Sequence, residues 1–215
     1  MYKRQNKGSG ATVFGLGGLS TENVSLVSSP TWTPTGVSFN GTTQYGLGPD
    51  FVDGSTMMIF SRNNVSVTPT GAGGRAIVST YGGTTNRAFN LAYNYDVGSG
   101  VTLLRSPDGV PTGQEVYRNE SNSGVTGVDA CLVAEWINGG GRNLWINNTA
   151  QSLTLFAGSD NTSMFNSSLP LTIAARYESP TADSHTAMTG IAQMVVRATV
   201  TPTQRTALTN LINAL

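Results

Sequence analysis

The sequence predicts an all-β fold, an antiparallel sandwich of two sheets closed by one short C-terminal helix. Two observations carry this. Short runs of alternating apolar residues, each broken by Gly, Asn, Thr or Ser turns, follow one another from about Val37 onward. A single amphipathic segment then ends the chain after a Thr-Pro signal. At 215 residues the chain suits one large β domain, with a core that needs no disulfide or metal staple.

Composition narrows the partners. Charged residues make up 11% of the chain, against roughly 25% in an average soluble domain, and Thr, Ser, Asn and Gly fill the deficit. Lys+Arg 12 balances Asp+Glu 12, so no net field attracts nucleic acid or an anionic membrane. The lone cysteine, Cys131, sits in the apolar run Ala130–Ile137 and reads as a small buried hydrophobe. Low charge with many Thr, Ser and Asn leans toward an extracellular or virion setting.

Residues 1–35 read as scar and linker, or as the first strand. Met1–Gln5 is Met-Tyr-Lys-Arg-Gln, which resembles the translated end of a transposase adapter from shotgun sequencing libraries. It is therefore set aside from fold reasoning, and natural sequence is expected upstream. Neither an apolar signal-peptide core nor a membrane-length apolar span follows it. Asn6–Thr35 is rich in Gly, Ser and Thr, with one apolar stretch at Thr12–Leu16.

Strand-like blocks occupy residues 36–215 in sequence order. They fall at Gly36–Asn40, Gln44–Leu47, Thr56–Ser61, Arg75–Tyr81, Arg87–Asn94 and Val101–Arg105. After a turn-rich passage around Pro107–Gly127 come Ala130–Ile137, Asn143–Asn147, Gln151–Phe156, Leu171–Arg176 and Gly190–Thr199. Alternation puts Phe89, Leu91 and Tyr93 on one face and Asn90 and Ala92 on the other. It likewise assigns Leu144 and Ile146 to the core, with Trp145 and Asn147 on the outer face. Thr201 caps the closing helix and Pro202 fits its first turn. Leu208, Leu211, Ile212 and Leu215 form the expected docking stripe, with Arg205 and Thr209 facing water.

Taken in order, several blocks resemble the concanavalin A-like lectin/glucanase superfamily, in its laminin G-like jelly-roll branch. Val37-Ser-Phe-Asn-Gly-Thr-Thr-Gln-Tyr45 is similar to that branch's F-D-G-x-x-D-Y strand and turn. Asn143-Leu-Trp-Ile-Asn147 is similar to its L-Y-V-N-G hairpin strand, and Leu171–Arg176 to its L-x-I-G strand. Gly190–Arg197 with Thr201–Leu215 is similar to the last long strand and closing helix. The resemblance implies a jelly-roll domain over residues 36–215. Calcium-binding members use carboxylates where this chain has Asn40 and Gln44, so calcium is not favoured as a cofactor. The glycosidases of the superfamily carry two acids at even spacing on one strand face, and no such pattern occurs here. Glu115 and Glu120 fall in the turn-rich passage, and Glu135 stands alone on its strand.

Other chemistry is sparse. His185 is the single histidine, which removes paired-His zinc sites and leaves any Ser-His-acid triad dependent on it alone. Gly71-Ala-Gly-Gly-Arg75 lacks the Gly-Lys-Ser/Thr ending of a phosphate loop and leads into a strand, so it reads as a turn. The leading expectation is a non-enzymatic recognition module for a glycan or host-surface polysaccharide, within a larger surface or virion protein. Trp145, Asn147, Trp136, Tyr95 and Tyr81 are its candidate ligand residues, since sugar rings stack on aromatics and are bracketed by amides. Trp136 and Trp145 have a competing reading as core. The alternative is a structural or decorating domain of a phage tail or capsid, with other virion proteins as partners. Glycoside hydrolysis ranks last.

Overall fold

A computed structural model describes residues 9–13, 23–49, 56–65, 75–82, 86–93, 100–106, 109–110, 113–119, 128–159, 163–165, 167–178, 181–183, 185–196 and 198–215. Its first strands are β1 (Thr12–Val13), β2 (Val24–Val27), β3 (Thr31–Thr33), β4 (Gly36–Asn40), β5 (Tyr45–Leu47) and β6 (Met57–Val65). Next come β7 (Arg75–Tyr81), β8 (Arg87–Tyr93), β9 (Val101–Arg105), β10 (Glu115–Arg118), β11 (Asp129–Trp136) and β12 (Arg142–Ile146). The last are β13 (Thr149–Ala150), β14 (Thr154–Gly158), β15 (Thr172–Ile173), β16 (Arg176–Glu178), β17 (Thr181–Asp183) and β18 (Ala187–Val196), followed by the helix α1 (Pro202–Asn213).

Two antiparallel sheets form a sandwich. One has nine strands in the order β1-β2-β5-β15-β7-β8-β9-β10-β14, the other seven in the order β13-β12-β11-β6-β18-β4-β3. The expected all-β class, two sheets and closing helix are all present. Strand alternation builds the core between the sheets. Phe89, Leu91, Tyr93, Val101 and Leu103 meet Ile59, Leu132, Trp136, Leu144 and Met188 there. Each large apolar side chain so buried contributes about 1.5–3 kcal/mol. Phe89 and Trp136 touch with ring centroids 5.4 Å apart at 50°.

At one end of the sandwich the core is ionic. Arg105 Nε donates to Glu115 Oε1 at 3.0 Å, and Arg142 Nε lies 3.4 Å from the same oxygen. Arg105 Nη1 also donates to the Ile137 carbonyl at 3.1 Å. Arg105 and Glu115 are on the nine-stranded sheet, while Arg142 and Ile137 belong to the seven-stranded side, so the cluster ties the layers together. The turn-rich reading of this stretch is corrected here: Glu115 opens β10, a strand whose charged ends hid it from pattern reading.

The outer face of the seven-stranded sheet is closed by α1. Ile212 packs on Met58, Phe60, Cys131 and Val133, joined by half-buried Trp145 and Leu208. Thr201 caps the helix in a reciprocal capping box with Gln204, and Arg62 Nη1 bonds the Asn213 carbonyl at 3.0 Å. The docking stripe differs from the expected one. Leu211 and Leu215 are 56% and 63% exposed, whereas Thr209 is buried. Arg205, expected in water, lies with its guanidinium carbon 4.1 Å from the Trp145 ring centroid. The helix is rotated because an aromatic face attracts a guanidinium better than a leucine tip does. Thr209 fits inside because its hydroxyl donates to the Arg205 carbonyl at 2.9 Å.

Three outcomes follow. Ile212→Ala should cost about 2–4 kcal/mol in urea unfolding and Leu211→Ala less than about 0.5; the reverse order would restore the stripe read from the sequence. Glu115→Gln leaves Arg105 buried beside a neutral amide and should cost about 3–5 kcal/mol; an unchanged melting temperature would remove the ion cluster as a constraint. Burial pushes the Cys131 thiol up to about 11, with the Arg62 charge pulling weakly the other way. At pH 8 only about one thiol in a thousand is then ionised. Iodoacetamide should leave the folded chain unmodified and alkylate it in urea, and rapid native alkylation would contradict that burial.

Candidate functional site

The face of the nine-stranded sheet that turns away from the core holds the polar groups without a structural assignment. On β8, Phe89, Leu91 and Tyr93 point into the sandwich, so Asn90 and Ala92 point out. Strand register then lines up Thr172, Ser79, Asn90, Leu104, Val116 and Ala157 as one cross-strand row on that outer face. The adjoining row is Ala76, Ala92, Thr102, Arg118 and Thr154. Tyr81, Leu104 and Val116 form a small apolar cluster with Ala157, separate from the main core.

The middle of this floor is neutral and polar. Asn90 is 1% exposed, yet among the described residues neither its amide nitrogen nor its amide oxygen has a hydrogen-bond partner. The Thr102 hydroxyl is in the same condition. Each such buried group costs about 1–3 kcal/mol until something bonds it. Ser79 and Thr172 differ, since their hydroxyls bond the Phe89 carbonyl and the Ser79 and Ala175 carbonyls.

Arginines stand at the ends of the floor. The Arg87 guanidinium lies 4.4 Å from the Tyr81 ring centroid and donates to Gln114 Oε1 at 2.9 Å. Arg176 approaches the same ring at 4.8 Å, carried there by β16 after a left-handed Ala174 at φ 65. Arg118 covers the Phe156 ring at 4.0 Å. Phe156 and Leu155, on the edge strand β14, are 37% and 39% exposed. Among the described side chains, the carboxylates of Glu115, Asp129 and Glu135 all serve elsewhere: Glu115 in the inter-sheet cluster, Asp129 with Arg62, and Glu135 with Asn143 Nδ2 at 2.7 Å.

The residues expected from the sequence are not brought together. Trp136 is 1% exposed and packs on Phe89 in the core, so its ring is closed to a ligand. Tyr81 is equally buried, under Arg87 and Arg176. Trp145 is half-buried beneath α1 on the opposite sheet. Asn147 adopts φ 49 in the turn after β12, and its side-chain oxygen accepts the Cys131 backbone N–H at 2.9 Å. Tyr95 and Glu120 lie outside the described residues. His185 meets Tyr45 edge-on at 5.9 Å. Asn40 and Gln44 lock their turn: Asn40 Oδ1 accepts from the backbone of Thr42, Thr43 and Gln44, while Gln44 Nε2 donates to the Ser28 and Ser29 carbonyls. The alternation of β8 turns Asn90 outward, but nothing local in the sequence places Arg118 over Phe156 or Arg87 over Tyr81 on the same sheet.

No protein-family model matches the sequence, and no curated protein matches it. Solved structures match in fold. Domain 4 of a GH43 extracellular arabinanase from Geobacillus stearothermophilus, in complex with arabinotriose, is 13% identical at a TM-score of 0.60, over 86% of this chain and 81% of that one. The receptor-binding domain of botulinum neurotoxin C/D mosaic serotype is 8% identical at a TM-score of 0.60, over 89% of this chain and 46% of that one. Trypanosoma rangeli sialidase is 14% identical at a TM-score of 0.56, over 89% of this chain but 29% of its own. The chain thus spans less than a third of the sialidase. One expectation is corrected by these neighbours. A non-enzymatic chain was the reading of the sequence, but the sialidase and the arabinanase are enzymes and this fold occurs within them. What the likeness does show is the fold, a β-sandwich of two antiparallel sheets.

Proposed function

We propose that the chain is a carbohydrate-binding domain of a larger glycan-directed protein, with its ligand at the β14 edge of the nine-stranded sheet. The observation that carries this is the edge strand β14, which leaves the Phe156 ring 37% exposed with the Arg118 guanidinium over it. Phe156 adds an exposed aromatic surface at the rim for a sugar's apolar face. The arabinanase domain solved with arabinotriose supports the class of ligand, and the partial span of the sialidase supports a longer parent protein. The laminin G-like resemblance and an extracellular or virion setting belong to the same proposal.

A second reading, assembly within a phage tail or capsid, draws on β14. That strand ends its sheet and leaves Leu155 and Phe156 exposed, a natural edge for another chain.

A glycan array of the whole chain separates the two. Binding should appear, and Phe156→Ala should weaken it about tenfold with an unchanged melting temperature, a loss typical of one stacked aromatic. Trp145→Ala should instead lower the melting temperature by several degrees and leave affinity in place, because Trp145 supports α1. Silence across the array, with concentration-dependent oligomers in sedimentation, would replace the glycan reading by the assembly one.

A further inference from the structure

We infer that Asn138 is a self-modifying site, where the folded chain deamidates without an enzyme to aspartate and isoaspartate. The sequence holds two Asn-Gly pairs, Asn40-Gly41 and Asn138-Gly139. Such pairs are the labile form of asparagine, because a glycine leaves the following backbone nitrogen uncrowded. In sequence the two pairs are alike. In the fold they are not.

Asn40 is locked. Its Oδ1 accepts the backbone N–H groups of Thr42, Thr43 and Gln44 at 2.9, 3.0 and 3.2 Å, and its Nδ2 donates to Thr43 Oγ1 at 3.1 Å. A Cβ built on Gly41 would lie 2.8 Å from the Ala187 backbone nitrogen, so this turn has little room to shift. Closing a ring onto the Gly41 nitrogen would pull the carboxamide out of all these bonds. Asn138 carries no such restraint. It is exposed in the turn between β11 and β12, and its carboxamide makes no hydrogen bond among the described residues. Only its backbone N–H is held, by Thr56 Oγ1 at 3.0 Å. Gly139 follows at φ 91, with open space where a side chain would stand. The turn is closed by Gly140 N–H on the Ile137 carbonyl and Ile137 N–H on the Gly141 carbonyl, both at 3.1 Å, which leaves the Gly139 nitrogen out.

Water is the one co-reactant the chemistry needs, and nothing is oxidised or reduced. The Gly139 backbone nitrogen attacks Asn138 Cγ, a nitrogen–carbon bond forms, and the Cγ–Nδ2 bond breaks. Ammonia leaves with the proton of the Gly139 N–H, and a cyclic imide remains. Water then opens the imide. Cleavage at Cγ gives aspartate, while cleavage at the main-chain carbonyl carbon gives isoaspartate, whose backbone runs through Cβ and Cγ. That longer path begins next to Ile137, whose carbonyl accepts from Arg105 Nη1 at 3.1 Å. The isoaspartyl product therefore loosens one bond of the inter-sheet cluster.

The test ages the whole chain in mildly alkaline buffer and follows both sites by peptide mapping with fragment-ion mass spectrometry. In the folded chain Asn138 should convert at least about tenfold faster than Asn40, since holding a reactant out of attack geometry costs that much or more. In guanidinium chloride the two rates should converge. Because Lys+Arg 12 balances Asp+Glu 12, conversion should also raise an acidic band in isoelectric focusing, and Asn138→Gln should remove it. Equal rates at the two sites in the folded chain overturn the inference. So does an Asn138 that converts only in guanidinium chloride, or an acidic band that persists in Asn138→Gln. The isoaspartyl fraction should melt below Asn138→Asp, and equal melting temperatures overturn the link to the Arg105 cluster.

Discussion

The buried cluster of Arg105, Glu115 and Arg142 sets the register on which the rest of the sandwich depends. Arg105 lies directly across from Phe89 on β8 and from Glu115 on β10. Its second hydrogen bond reaches Ile137, the residue after Trp136. The ionic contact and the Phe89–Trp136 contact are therefore neighbours, one polar and one aromatic, across the same gap between sheets. A strand has only two faces, so turning Arg105 and Glu115 inward obliges Leu104 and Val116 to turn outward. Asn90, one position beyond Phe89, turns outward with them. The outer face that holds the candidate site is thus a consequence of how the inner face is paired. Removing one ion would leave the other two charges in a dry interior, where an unpaired charge is far costlier than the pair is favourable.

Much of the architecture was legible because alternation is a local property. Gly36–Asn40, Arg75–Tyr81 and Val101–Arg105 coincide with β4, β7 and β9, and the Leu144, Ile146 and Trp145 parity holds. What escaped depends on partners distant in sequence. The strand β10 is Glu-Val-Tyr-Arg, polar at both ends, and becomes a strand because Arg105 and Arg142 receive Glu115. Leu171–Arg176 reads as one strand, but Ala174 adopts φ 65 and divides it into β15 and β16. In α1, Leu208 and Ile212 of the expected stripe pack on the sheet beside Trp145, while Leu211 and Leu215 stay exposed and Arg205 lies over the Trp145 ring.

The aromatic candidates illustrate the same limit. The sequence puts Trp145 on the outer face of its strand and leaves Trp136 between ligand residue and core. It does not show which face a third element covers. Trp136 lies between the sheets, Trp145 lies under α1, and Tyr81 lies under two arginines that arrive from β8 and β16. Each of these three is used in packing, while Phe156, on a strand edge, is 37% exposed.

The two outer faces of the sandwich differ in chemistry, and that difference locates function better than any single residue. Under α1 the seven-stranded sheet presents Met58, Phe60, Cys131 and Val133, apolar groups that a helix satisfies completely. The nine-stranded sheet presents Ser79, Asn90 and Thr102 among alanines and Leu104, all buried. A face meant for bulk water would carry long charged side chains, and one meant only for packing would carry methyl groups. Small neutral polar groups in a closed space fit neither purpose, because packing leaves the Asn90 amide unbonded. One outer face is thus covered by a helix that matches it, while the other keeps a buried polar row whose amide carries an energetic cost of about 1–3 kcal/mol for each unbonded atom.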